Sequence, residues 1–226
     1  MPSGSTGAVH RAVTAFTKFR FGSYAQYTCL PETSTLASAP SNVTYEEAAS
    51  IPYGGLLALH YLRKGNVRSG QQVLIYGASG AVGTSAVQLA KQFGAEVTAV
   101  CGTTNLQLAR SLGADTVIDY TKEHAPSEGK LYDLVFDAVG KRKTSRLKVA
   151  CEKALAPGGK YTSVDDGTPH LPASDLAVLK EAVEAGNLKP VIDRCYPLEQ
   201  IAEAHRYVEQ EHKKGNVVVT VTHEPE

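Results

Sequence analysis

Val73-Leu74-Ile75-Tyr76-Gly77-Ala78-Ser79-Gly80-Ala81-Val82-Gly83 decides how the rest of this 226-residue chain is read. Four apolar residues in a row suit a strand buried on both faces. Within a few positions the period changes to that of a helix, which continues through Val87, Leu89 and Ala90. Three glycines and otherwise small residues fill the junction. Glycine has no Cβ, so a chain built this way turns sharply and lets another group approach its backbone.

What approaches is set by the helix that follows. The first-turn amides of a helix have no partner within it, and they suit a bound anion. Gly77 is placed at the tight strand-to-turn junction, Gly80 where backbone approach must be close, and Gly83 where helix packs on strand. Ala78 and Ser79 are small enough to leave the ligand its space, and Ala81 and Val82 open the helix. With the second strand Glu96-Val97-Thr98-Ala99-Val100-Cys101, the context is that of a dinucleotide pyrophosphate site. The alternative is glycines that serve only compact packing. No Gly-Lys-Ser/Thr ending follows, so the turn is not a triphosphate loop.

The end of the second strand bears on cofactor choice. A carboxylate there would accept from the adenine ribose and favour NAD. The sequence has Cys101-Gly102-Thr103-Thr104-Asn105 instead, which favours NADP (NADPH) and leaves NAD as the alternative. Arg110 is a candidate to approach the NADP phosphate, with a solvated helix face the preferred reading.

Working outward, apolar runs at 73–76, 97–101, 116–118, 132–136, 159–164 and 216–221 are read as strands. Helical patterns fall at 81–93, 105–112, 144–155, 173–185 and 198–212. This alternation predicts an α/β fold with a mostly parallel, doubly wound sheet. Before it, residues 21–30 alternate like a strand, and Thr44-Tyr45-Glu46-Glu47 has capping-box spacing. That helix is expected to run toward Ser50, with Pro52 disrupting or restarting it and a second helix over 54–62.

The composition narrows the function classes. The chain has 23 basic and 23 acidic residues, so no broad positive field is offered to nucleic acid or to acidic lipid. No long apolar run suggests a signal core or a membrane span, and a cytoplasmic protein is expected. Cys29, Cys101, Cys151 and Cys195 lie far apart without metal-ligand spacing, so no zinc site is predicted. The basic run 141–148 and the polar run 209–214 are read as solvated helix surface.

Taken in order, several stretches resemble the zeta-crystallin-like, quinone-oxidoreductase branch of the medium-chain dehydrogenase/reductase family. They are Gly22-Ser23-Tyr24-Ala25-Gln26-Tyr27, Glu46-Glu47-Ala48-Ala49-Ser50-Ile51-Pro52, the 77–83 turn, 111–120, 132–140, Pro157-Gly158-Gly159-Lys160-Tyr161 and Pro190-Val191-Ile192-Asp193. The resemblance covers roughly residues 20–222.

The resemblance implies a Rossmann domain with strand order 3-2-1-4-5-6 and a barrel-like, GroES-type catalytic domain built mainly from the preceding chain. It also implies hydride transfer from NADPH to a quinone or an activated alkene (enone or enal) without zinc. Gly77, Ala78, Ser79, Gly80, Ala81, Val82 and Gly83 are the implied pyrophosphate turn, and Thr103 and Asn105 the adenosine-phosphate contacts. Tyr120 would flank that phosphate or cap the core beside the adenine. Asp137, Val139 and Gly140 match the loop near the ribose or nicotinamide, although Asp137 equally suits ordering of its own loop. Asn216 approaches from the final strand. No catalytic residue is identified. Tyr53 is a candidate for packing or substrate contact, His60 for a structural role and His170 for solvent.

Only about 20 residues precede the first matching stretch. Residues 1–55 are therefore expected to be a remnant of the catalytic domain, 56–222 the nucleotide-binding domain and 223–226 a tail. The quick crossing from Val164 to Asp175 omits a segment that in relatives includes an edge strand, which leaves oligomeric state open. The competing readings are a catalytically impaired nucleotide-binding or redox-sensing protein and a zinc-type alcohol dehydrogenase fragment.

Overall fold

The computed structural model describes residues 12–17, 23–123, 125–140 and 145–221. Its centre is a five-stranded parallel sheet of β3 (Gln72–Tyr76), β4 (Glu96–Cys101), β5 (Thr116–Asp119), β6 (Tyr132–Asp137) and β7 (Leu155–Ser163). The order is β5-β4-β3-β6-β7, in parallel register throughout. This is a Rossmann-type arrangement, with the chain reversing its direction of travel across the sheet at β3.

Side chains alternate across each strand, so successive residues serve different layers. Val73 and Ile75 join the larger core with helices α1 (Tyr45–Gly65), α2 (Ala81–Gln92) and α5 (Ala173–Glu184). Leu74 and Tyr76 face the smaller core with Val100, Ile118, Val135 and, from α4 (Arg146–Lys153), Leu147 and Cys151. Burial on both faces explains why the strands read as continuous apolar runs. The short helix α3 (Leu106–Ser111) links β4 to β5.

The sixth predicted strand does not join this sheet. β9 (Asn216–Thr220) pairs in parallel with β8 (Ile192–Pro197), which the sequence reading did not assign, and the two form a separate sheet. The order 3-2-1-4-5-6 is thus realised over five strands among the described residues. β7 also starts earlier than expected, because Pro157-Gly158-Gly159 shift its register against β6 instead of ending it.

The segment before the sheet departs most from expectation. The described part of 21–30 (from Ser23) contains no strand, and Tyr24 and Tyr27 are exposed. An antiparallel pair forms elsewhere, from β1 (Val13–Phe16) and β2 (Thr35–Ser38), and does not close into a barrel. Thr14 bonds to the carbonyl of Ala48 and Thr35 to that of Leu171, which ties this pair to the larger unit.

The expected break at Pro52 is absent. α1 runs unbroken across it, and across the sequence-based boundary at residue 55. A proline inside a helix costs about 3 kcal/mol. Leu56, Leu59 and Leu62, all fully buried beyond it, contribute about 1.5–3 kcal/mol each. Burial wins. The capping box forms as predicted: Glu47 N–H donates to Thr44 Oγ1 at 3.2 Å, and Thr44 N–H to Glu47 Oε2 at 2.9 Å.

Candidate functional site: a glycine turn and its cavity

The site begins where β3 runs out. Gly77 has φ +82°, a left-handed conformation that glycine adopts without strain. The amides of Gly77 and Ala78 both donate to Val100 O, at 3.0 and 2.9 Å, fastening the turn to β4. α2 then starts at Ala81 with Gly80 as its N-cap, and no side chain caps its first turn.

The glycines differ in what they protect. A Cβ on Gly83 would run into the carbonyl oxygen of Gly77 and the backbone of Ala78, so this glycine is required by packing. A Cβ on Gly80 would meet nothing nearer than Gly77 O at 3.7 Å. The space outside Gly80 is therefore open. A cradle of uncapped amides with room above one glycine fits a dinucleotide pyrophosphate.

At the end of β4, Gly102 lies beneath Tyr120, whose hydroxyl would be 3.2 Å from a Cβ placed there. Tyr120 itself is about half exposed. Thr103 Oγ1 donates to Asp119 Oδ2, and Thr121 donates to Asp119 Oδ1 through its hydroxyl (2.7 Å) and amide (3.0 Å). The Thr103 bond is the main reason the Asp119 carboxyl sits below its ordinary pKa, against the opposing effect of burial. Asn105 Oδ1 is buried without a hydrogen-bond partner among the described residues. An orphaned acceptor beside this strand end suits a ligand donor such as a ribose hydroxyl. Arg110 is exposed.

The β6 loop is organised from within. Asp137 is buried, and its Oδ1 accepts from the amides of Val139 and Gly140 at 3.0 and 3.1 Å. Its Oδ2 accepts from Tyr161 Oη at 3.0 Å and pairs with Lys148 Nζ at 2.7 Å. Asp137 is thus turned away from solvent and fixes the loop that presses Val139 against Gly77. Lys148 lies in the run read as solvated surface, yet it is buried. Residues 141–144 of that run lie outside the described residues.

The C-terminal strand reaches the same turn. Gly215 N–H donates to Ser79 O at 2.8 Å, and Gly215 forms a β-bridge with Gly80. Asn216 Nδ2 donates to Val191 O at 3.1 Å. Beside this seam is a cavity of about 490 Å³, walled by Ala81, Tyr53, Lys213 and the valines of β9. Lys213 is half-buried there, in a run that reads as surface. The signal that could have found it is the glycine two positions on, followed at once by an apolar strand.

The remaining candidates fall outside the cavity. His60 has its pKa lowered chiefly by burial, assisted by Lys64 and opposed by a bond to the His170 backbone. His170 is exposed, as expected. All four cysteines are free. Burial pushes Cys101 up to about 11 and Cys151 up to about 12. Among the described residues no three His, Cys, Asp or Glu side chains converge as metal ligands. None of the described helices is long and apolar enough to cross a membrane.

Comparison with known proteins agrees with this architecture. A family model described as zinc-binding dehydrogenase matches residues 81–186, and a second of the same description matches 168–219. The chain is 37% identical over 219 residues to an NADPH-dependent alkenal/one oxidoreductase, chloroplastic, of Arabidopsis thaliana, covering 88% of this chain and 53% of that protein. The chain belongs to the medium-chain dehydrogenase/reductase family. Within that family it falls in the quinone-oxidoreductase branch.

Other medium-chain relatives include a 2-methylene-furan-3-one reductase of Solanum lycopersicum, 34% identical, over 88% of this chain and 53% of the relative. Among solved structures, an NAD-dependent alcohol dehydrogenase superposes with a TM-score of 0.79 at 35% identity, over 90% of this chain and 66% of the other. The quinone oxidoreductase from Coxiella burnetii gives 0.75 at 25% identity, over 84% and 65%. The chain spans about half the length of these curated relatives.

Proposed function

We propose that this protein is a zinc-independent, NADPH-dependent oxidoreductase that transfers hydride to a quinone or an activated alkene. The observation that carries this reading is the glycine turn, open above Gly80 and opening beside a cavity of about 490 Å³ at the head of α2. Bound NADPH supplies the hydride, and the protein supplies position and electrostatics. Gly77 to Gly83 would hold the pyrophosphate. Val139, locked by Asp137, would back the turn. Thr103, Asn105 and Tyr120 surround the adenosine end, and Asn216 belongs to the cavity wall.

NADPH is favoured over NADH because β4 ends in Cys101-Gly102-Thr103-Thr104-Asn105, without a carboxylate for the ribose hydroxyls. Asp119, paired with Cys101 at the end of the neighbouring strand, is buried with both oxygens engaged by Thr103 and Thr121. The names of the relatives from Arabidopsis and tomato support an alkene acceptor for this chain as well. The zinc-independent reading draws on the two buried thiols and on the wide separation of Cys29 and Cys195 along the sequence.

A second reading, a nucleotide-binding sensor without turnover, draws on the open β1–β2 pair, which encloses no barrel over the cavity. The two separate in one assay. Metal-free protein is mixed with NADPH and either ethyl vinyl ketone or a simple benzoquinone, and the loss of reduced-nicotinamide absorbance is followed. Enzyme-dependent oxidation with either acceptor supports the oxidoreductase. Nucleotide binding without turnover supports the sensor.

A further inference from the structure

The cavity at the head of α2 holds one lysine in a wall that mixes alanines and valines with Ser23, Tyr24, Ser50, Tyr53 and Asn216. Lys213, in the turn before β9, lines it together with Val217, Val218, Val219 and, from α6 (Ile201–Glu209), Val208. An ammonium has three N–H donors. One goes to Gly215 O at 2.7 Å, and Lys213 makes no ion pair among the described residues. Asp193 acts on it only at longer range, with Oδ2 already accepting from Tyr207 and from the Lys214 amide at 3.1 Å. A half-buried cation with donors to spare, set against valines, is a site for an acceptor atom.

We propose that Lys213 recognises the carbonyl oxygen of the hydride acceptor and carries the charge that develops on it. The acceptor class is a short aliphatic α,β-unsaturated ketone or aldehyde, with its hydrocarbon on the β9 valines and its oxygen at Nζ. This rests on the oxidoreductase reading above. When a hydride adds to the β-carbon, the alkene π pair moves toward the carbonyl and leaves an enolate. Lys213 gives its proton to that oxygen, the enol tautomerises to the saturated ketone, and the amine regains a proton from water. Burial lowers the Lys213 pKa from its ordinary value, which makes it a better proton donor than a solvated lysine. The bond to Gly215 O, beside the Ser79 and Gly80 contacts, holds the ammonium at the nucleotide turn.

Two variants and one chemical readout test this. Lys213→Met keeps the length and loses the charge, and Lys213→Arg keeps the charge. The expected result for Lys213→Met is a fall of about 100-fold in kcat/KM for ethyl vinyl ketone, the scale of losing one oxyanion donor. NADPH affinity should stay within about twofold of wild type, and Lys213→Arg should recover part of the rate. In nucleotide-free protein, diethyl ketone should slow acetylation of Lys213 by acetic anhydride, read by peptide mass spectrometry, and leave exposed Lys122 unaffected. Wild-type kcat/KM in Lys213→Met, or no protection of Lys213 by diethyl ketone, overturns the proposal. If diethyl ketone protects Lys213 while the wild type turns over no acceptor, the oxidoreductase reading falls and the carbonyl site stands.

Discussion

Gly80 and Gly83 lie three residues apart and do different work. Gly83 has backbone on the side where a Cβ would stand, whereas Gly80 faces open space. Gly83→Ala forces β3 and α2 apart and is expected to destabilise the fold by about 1–3 kcal/mol, the usual range for overpacking. Gly80→Ala costs less than about 1 kcal/mol, the difference between glycine and alanine at an N-cap. It should still weaken NADPH binding, because the methyl group occupies the phosphate's approach. Thermal melting and nucleotide fluorescence on both variants separate the roles: equal losses of stability would refute the distinction. At this scale the sequence was informative where backbone shape decides, as in the 77–83 turn. It was uninformative where a charged residue is recruited inward. Lys148 and Lys213 both sit in polar runs: Lys148 is revealed only by its tertiary partner Asp137, and Lys213 is marked locally by the Gly215 carbonyl two positions on.

Between elements, the loop after β2 is stitched to the end of α5. Glu184 accepts from Lys180 Nζ at 2.6 Å and from the amide and hydroxyl of Ser41, both at 3.0 Å. Lys180 first, then Ser41, lowers the Glu184 pKa from 4.5 to about 2. A carboxylate with a depressed folded pKa adds stability above its unfolded value, and that stability is lost as pH falls through the folded one. Glu184→Gln should therefore melt below wild type at neutral pH, and the gap should close between 4.5 and about 2. A gap that persists unchanged at the acid end would refute this linkage. The α/β alternation was legible because each sheet strand is buried on both faces. The pairing of β1 with β2 was not, since each is four residues long and depends on partners far away, such as Ala48 and Leu171. Pro52 misled for a related reason: local propensity argued for a break, and burial of α1 overrode it.

For the whole molecule, one sheet with a core on each face sorts the cysteines. Cys101 belongs to the larger core and Cys151 to the smaller, while Cys29 and Cys195 are exposed. A thiol reagent should therefore titrate two groups quickly in the native protein and all four in denaturant, as the four free cysteines require. Fast reaction of all four would mean that one core is open. The family was legible from the order of short motifs along the chain. The cavity was not, because it forms from α1, α2 and β9, which are distant in sequence and meet only at the glycine turn. The most direct measurement is a titration of metal-free protein with NADPH and with NADH, followed by reduced-nicotinamide fluorescence. Saturable binding with NADPH preferred is the predicted result; no binding of either nucleotide would contradict the central claim.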